Sequence, residues 1–199
     1  MLLCTTIGTS APIGRDLRRS APGRWQPAVV STDDAAPGSS DVRVAGAADL
    51  AQLPAVEAAA DELFVPLGIT DLPAPGSPEQ WAHAWRVLVA GRPVHGFAVL
   101  ELLDGAVHLE QLSVHPAHGR RGVGGALLAG CLAHARAHGT DRVTLLTYAE
   151  VPWNAPYYAR HGWRVTADLT PGLRALRRRE VELGLDRHGT RVAMVRPVT

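Results

Sequence analysis

The residues best suited to chemistry lie between positions 108 and 126, in the run His-Leu-Glu-Gln-Leu-Ser-Val-His-Pro-Ala-His-Gly-Arg-Arg-Gly-Val-Gly-Gly-Ala. Residues 109–114 alternate and end β-branched, which predicts a strand that Pro116 stops. From Val123 onward the apolar residues Val123, Leu127, Leu128, Cys131, Leu132 and Ala135 fall at helical spacing. A glycine-rich loop therefore feeds the start of a helix. The first turn of a helix has N–H groups without intrahelical partners, and the macrodipole adds about half a positive charge there. Gly122, Gly124 and Gly125 would let an anion approach the backbone closely, and Arg120 and Arg121 add cationic donors. Such a site suits a phosphate or a diphosphate. The plainer alternative is a tight loop whose glycines serve only packing.

Two common phosphate loops do not fit. A Walker loop ends in Gly-Lys-Ser/Thr, and the chain contains no lysine. A dinucleotide fingerprint needs a third glycine where Leu127 stands. The run Ser-Val-His-Pro followed by Arg-Arg-Gly-Val-Gly-Gly-Ala-Leu-Leu resembles the coenzyme A loop of the GNAT superfamily of N-acetyltransferases, Gln/Arg-x-x-Gly-x-Gly/Ala. Gly122 and Gly124 match its small positions, whereas Gly119 stands at the leading Gln/Arg position, so Arg120 or Arg121 would supply that charge. A second stretch, Asn-Ala-Pro-Tyr-Tyr-Ala-Arg-His-Gly-Trp from Asn154, resembles the family's Asn-x-x-Ala/Pro-x-x-Tyr-x-x-x-Gly-Phe. Tyr158 falls at its tyrosine, and Trp163 replaces the phenylalanine.

The resemblance implies acetyl transfer from acetyl-CoA to a primary amine of a small molecule. Its fold would be α/β, a mixed, mostly antiparallel sheet of about seven strands with helices on both faces. By the same resemblance Arg120 to Ala126 (Arg120, Arg121, Gly122, Val123, Gly124, Gly125 and Ala126) and Asn154 would contact the cofactor. The backbone of Leu112, Ser113 and Val114 would line the pantetheine arm where two parallel strands splay. Tyr158 would stand beside the sulfur as general acid. Glu110, on the strand before the loop, leads as general base, and His108 is the second candidate. Each could instead be an ordinary core or sheet-face residue, and Asn154 an ordinary helix cap. A non-catalytic acyl-CoA sensor and a nicotinamide-dinucleotide domain remain the competing readings.

The surrounding elements must position these groups. The chain has 199 residues, with 20 basic and 19 acidic side chains, all the basic ones arginine apart from histidine. That balance gives no argument for a nucleic-acid partner, and no apolar run approaches a membrane span. Cys4 and Cys131 are not expected to pair, and a reducing cytoplasm is the default location. Residues 1–40 read as a disordered extension, and 41–199 as the catalytic domain, a homodimer being left open. Within the domain the pattern predicts a strand at 41–44 and a helical region capped by Asp49 and running to Phe64. A loop at 65–76 follows, then a Ser77-Pro78-Glu79-Gln80 capping box opening a short helix. By the resemblance, this region borders the acceptor pocket.

Strands follow at 85–89 and 94–103. Asp104-Gly105 signals a two-residue hairpin into a strand at 106–114. That turn predicts the pairs Leu103–Ala106, Glu101–His108, Val99–Glu110 and Phe97–Leu112. It puts His108, Glu110 and Leu112 on one face, with Glu101 placed to hold the His108 ring. The helix after the loop runs to His138. A strand at 142–147, a short helix capped by Asn154, a strand at 163–165, a helix at 171–183 and a final strand at 191–198 complete the reading. In the helix at 171–183, Leu173, Leu176, Val181 and Leu183 should face inward. His134 and His138 have a metal-compatible spacing but no third ligand, so no metal is expected.

Overall fold

The computed structural model describes residues 41–198. The N-terminal extension and Cys4 lie outside the described residues. The elements are β1 (Val42–Val44), α1 (Ala47–Leu50), α2 (Leu53–Asp61), α3 (Pro78–Ala82), β2 (Arg86–Ala90), β3 (Gly96–Leu103), β4 (Ala106–Val114) and α4 (Val123–His138). They continue with β5 (Arg142–Tyr148), α5 (Ala155–Arg160), β6 (Arg164–Thr166), α6 (Pro171–Glu182) and β7 (Arg191–Pro197). The strands form one seven-stranded sheet in the order β1-β2-β3-β4-β5-β7-β6. Every neighbouring pair is antiparallel except β4–β5.

Helices cover both faces. On one face α4 buries Leu127, Leu128, Cys131 and Ala135 against Leu88, Leu100, Leu109, Leu112, Val143 and Leu145. Tyr158 and Trp163 extend this core. On the other face α2 and α3 bring Leu53, Val56 and Trp81 against Val87, Val89, Phe97 and Val99. There α6 sets Leu173 and Leu176 on Leu146 and Ala193. Each fully buried Leu or Val contributes about 1.5–3 kcal/mol of transfer free energy, so the sheet is anchored from both sides.

The Asp104–Gly105 turn has both residues at positive φ, 51° and 76°, as a two-residue hairpin with the sheet's twist requires. The predicted pairs Leu103–Ala106 and Glu101–His108 are present. Beyond them the register differs: Leu100 pairs with Leu109, but Val99 pairs with Gln111 and Phe97 with Ser113. Glu110 is the extra residue of a β-bulge. A bulge breaks strict alternation, so the α4-side core takes Val107 and Leu109 and then Leu112 and Val114. Leu112 consequently leaves the face that His108 and Glu110 share.

Other local departures have equally plain causes. The helical region after β1 breaks into α1, α2 and a 3₁₀ turn at Glu62–Leu67 that contains Pro66. Asp49 is the third residue of α1 rather than its cap. It accepts the Gly46 N–H at 2.8 Å and pairs with Arg43 at 2.5 Å. Ser77 and Gln80 form the expected capping box. In α6 the inward side includes Glu180, while Val181 is 55% exposed. Glu180 pairs with Arg177 at 2.5 Å and with the buried Arg191, whose guanidinium lies over the Tyr148 ring. This buried network ties α6 to the start of β7 and the end of β5.

Two carboxylates one turn apart on α2 complete the picture. Glu57 is buried and accepts the Gly76 N–H at 2.9 Å, tethering the loop before α3. Asp61 has a buried Oδ1 with no hydrogen-bond partner. Burial, and then the nearby Glu57, push its carboxyl up to about 7. The folded state therefore holds Asp61 protonated, and stability falls as pH rises from near 4 through 7. Asp61→Asn should raise the melting temperature at pH 8 and change it little at pH 4. Glu180→Ala should cost about 3–5 kcal/mol in urea denaturation, because it strips the buried Arg191 of its carboxylate.

Candidate active site

The site begins where the sheet's parallel pair comes apart. Only two rungs join β4 to β5, Val107–Val143 and His108–Thr144. Past them β4 remains paired with β3 as far as Val114–Gly96, and β5 with β7 as far as Tyr148–Arg191. Each strand follows its own antiparallel neighbour, so residues 109–114 and 145–148 diverge. Their facing edges carry backbone groups that do not bond to one another, the geometry in which an extended chain can add hydrogen bonds. Leu112, Ser113 and Val114 lie on the β4 side of this divergence.

At the mouth of this opening β4 turns into α4. A 3₁₀ turn at Pro116–His118 leads to Arg120 at φ 58° and Gly122 at φ 82°. Gly122 is the N-cap, and no side chain caps the helix. The first helical bond to that residue comes from Ala126 N–H, 2.9 Å from the Gly122 carbonyl. The N–H groups of Val123, Gly124 and Gly125 thus point out of the first turn. A Cβ at Gly122 would meet nothing, but positive φ makes any other residue strained there. Arg120 and Arg121 are exposed beside this end. Backbone amides, helix dipole and guanidinium groups together are what an anion would require here.

Histidines ring the same loop, which their scatter along the sequence concealed. His95, before β3, stacks on His118 with ring centroids 3.6 Å apart, and His115 meets His118 edge-on. Burial, and then the charges of His95, Arg121 and His115, lower the His118 pKa. His161, in the second motif, lies close to Gly125: a Cβ there would sit 3.4 Å from its Nε2. Its Nδ1 donates to the Tyr157 carbonyl at 3.0 Å.

His108 and Glu110 sit on the face opposite α4. His108 is buried, its Nδ1 2.9 Å from Thr144 Oγ1, and its Nε2 is 3.5 Å from Glu110 Oε2. Burial lowers its pKa to about 4, so the ring is neutral at pH 7. Glu101 faces His108 across the β3–β4 pair as expected, but Thr144 holds the ring; burial raises the Glu101 carboxyl above its ordinary range, opposed by a backbone bond at Trp85. Thr144 belongs to a strand about 36 residues downstream, and the hairpin register gives no sign of it. Buried Gln111 and Ser113 continue the face, with Gln111 Nε2 donating to Ser113 Oγ at 3.2 Å.

Tyr158 lies on the α4 side. It is fully buried in α5, edge-on to Trp163 with centroids 5.8 Å apart. The candidate base and acid therefore occupy opposite faces of the sheet. Asn154 is the N-cap residue of α5, with Ala155 and Pro156 in the first turn, but its buried side chain makes no cap bond.

A cavity of about 210 Å³ adjoins the end of β5, lined by Leu67, Ile69, Tyr148, Val151, Glu150 and His188 among others. Asp71 pairs with Arg187 at 2.8 Å and His188 at 2.9 Å, strapping the loop after α2 to the turn before β7. The loop after α2 borders this cavity. Among the described residues no group of three His, Cys, Asp or Glu side chains could hold a metal, and no helix is long and apolar enough to cross a membrane. His138 packs near Trp85, and Cys131 lies in the α4-side core.

A dinucleotide-binding fold requires a largely parallel sheet, and this sheet has one parallel pair. Residues 81–165 instead match the acetyltransferase (GNAT) domain family. Solved structures agree in fold. Rv2747 from Mycobacterium tuberculosis, in complex with CoA and NLQ, is 18% identical, with a TM-score of 0.57 over 80% of this chain and 99% of that one. A GNAT-family acetyltransferase from Staphylococcus aureus Mu50 is 14% identical, with a TM-score of 0.61 over 80% and 99%. The PaiA N-acetyltransferase from Thermoplasma acidophilum, in complex with coenzyme A, is 15% identical, with a TM-score of 0.55 over 79% and 98%. With a GNAT acetyltransferase domain match over residues 81–165, this sheet order and the opened parallel pair, the chain has the fold of the GNAT acetyltransferases.

Proposed function

We propose that the protein is an N-acetyltransferase that moves the acetyl group of acetyl-CoA directly to a primary amine of a small molecule. The observation that carries this reading is the β4–β5 divergence, with β4 leading into a helix end that no side chain caps and that Arg120 and Arg121 flank. The Val123, Gly124 and Gly125 amides with Arg120 and Arg121 hold the diphosphate. The backbone of Leu112 to Val114 binds the pantetheine arm, and Asn154 contacts the cofactor from α5. CoA complexes of proteins with this fold support the assignment of the donor.

The chemistry has two proton problems. An alkylamine with a pKa of about 10.4 is neutral in only ~0.04% of molecules at pH 7, a deficit of about 4.6 kcal/mol. Glu110 removes that proton, directly or through one water. Its side chain is about 11% exposed, whereas the neutral His108 beside it is enclosed and a weak base. The amine nitrogen then attacks the thioester carbonyl. The C–N bond forms, the C–S bond breaks, and the Tyr158 hydroxyl gives its proton to the departing sulfur. Aligning amine and thioester contributes more than either proton transfer alone.

Two measurements test this reading. Tyr158→Phe should lower kcat for thiol release about 100-fold, while acetyl-CoA still binds by calorimetry with near wild-type affinity. Tight CoA binding without thiol release from any amine in the wild type would instead identify a non-catalytic acyl-CoA sensor. Replacing both Arg120 and Arg121 by Ala should weaken CoA binding about tenfold or more, with the loss shrinking at high salt.

A further inference from the structure

The parallel pair ends in a rung whose side chains are bonded as well as its backbone. His108 and Thr144 are register partners, the last before β4 and β5 diverge, and His108 Nδ1 meets Thr144 Oγ1 at 2.9 Å. On the other side of the ring Nε2 faces the bulge residue Glu110 at 3.5 Å. Glu110 follows His108 by two residues on the same face, and as the bulge residue it has no partner on β3, where unbroken pairing would have set Val99 across from it.

Proton placement follows from these three groups. An ionised Glu110 only accepts, so a lone pair on Nε2 would be repelled by it. Nε2 must therefore carry the hydrogen. Nδ1 of the neutral ring is then an acceptor, and the Thr144 hydroxyl is its donor. Burial keeps the ring from taking a second proton near neutrality.

We propose that Thr144 and His108 form a positioning pair for Glu110: Thr144 O–H donates to Nδ1, which fixes the Nε2–H tautomer, and Nε2–H donates to the carboxylate. The pair holds the carboxylate ionised and aimed along the opening without itself exchanging the substrate proton. This rests on the acetyl-transfer reading above and assigns His108 a supporting task in place of the base. Other titratable groups on the elements packed against this site are Glu101 on β3 and Glu57 and Asp61 on α2. The β5 partner contributes the uncharged Thr144.

Thr144→Val keeps the shape and removes the donor. It should lower kcat about tenfold and move the acidic limb of the kcat/KM–pH profile upward by about half a unit or more, with KM for acetyl-CoA unchanged. Thr144→Ser should restore both. His108→Gln, which can still donate to Glu110, should retain more activity than His108→Phe. Asp61→Asn in parallel identifies any part of the limb that belongs to Asp61. A second, turnover-independent reading is the ¹⁵N spectrum of His108 from pH 5.5 to 8, which should show protonated Nε2 and bare Nδ1. The reverse tautomer, or a Thr144→Val enzyme with unchanged kcat and pH profile, would overturn the pair. Loss of the acidic limb in His108→Gln would make His108 the base and overturn it too. A wild type that releases no thiol with any amine refutes acetyl transfer, and the tautomer spectrum still decides whether Thr144 fixes the ring.

Discussion

A sheet with one parallel pair among antiparallel neighbours is under a geometric tension that the rest of this molecule uses. Strands twist relative to their partners, and β4 and β5 are each bound along their outer edges to a different antiparallel strand. They can share hydrogen bonds only near the closed end, and two rungs suffice before they part. The result is an opening through an otherwise continuous sheet. Its edges are backbone amides and carbonyls, its two faces carry different side chains, and a helix begins at its wide end. Binding, proton removal and proton donation can then be assigned to three separate elements that need not move relative to one another.

The buried polar groups follow the same logic. Burying a histidine is costly unless its nitrogens are engaged, and His108 is engaged by the strand across the last rung and by the bulge residue of its own strand. The α4 terminus, by contrast, is left uncapped and flanked by arginines. A capping side chain would have competed with any bound phosphate for the same N–H groups. At the far end of β5, the Arg191–Glu180–Arg177 network and the Asp71 ion pairs fix the segments that border the cavity next to Tyr148.

Much of this was legible in the residues. The turn chemistry of Asp104-Gly105, the capping box at Ser77 and the glycine run before α4 each report on local backbone geometry, and local geometry is what a sequence encodes most directly. The hairpin, the glycine loop running into the start of a helix and the placement of His108 and Glu110 on one face all followed from such signals. The departures are non-local. The bulge at Glu110 shifts the β3–β4 pairing, so a register counted from the turn runs one residue off beyond it. Thr144 is joined to His108 only through the parallel crossover. Glu180 reads as one charge among many on α6 until β7 brings Arg191 beneath it. His95 and His161 reach the loop of His115 and His118 only through the fold.

The central claim is that the opening between β4 and β5 receives the thioester of acetyl-CoA between a base on one face and a tyrosine on the other. A crystal structure of the acetyl-CoA complex tests it most directly. The account predicts the diphosphate on the Val123, Gly124 and Gly125 amides, the pantetheine arm bonded along residues 112–114, and the sulfur within hydrogen-bonding distance of the Tyr158 hydroxyl. A cofactor bound elsewhere, or a sulfur lying beyond the reach of Tyr158 with β4 and β5 closed upon each other, would contradict it.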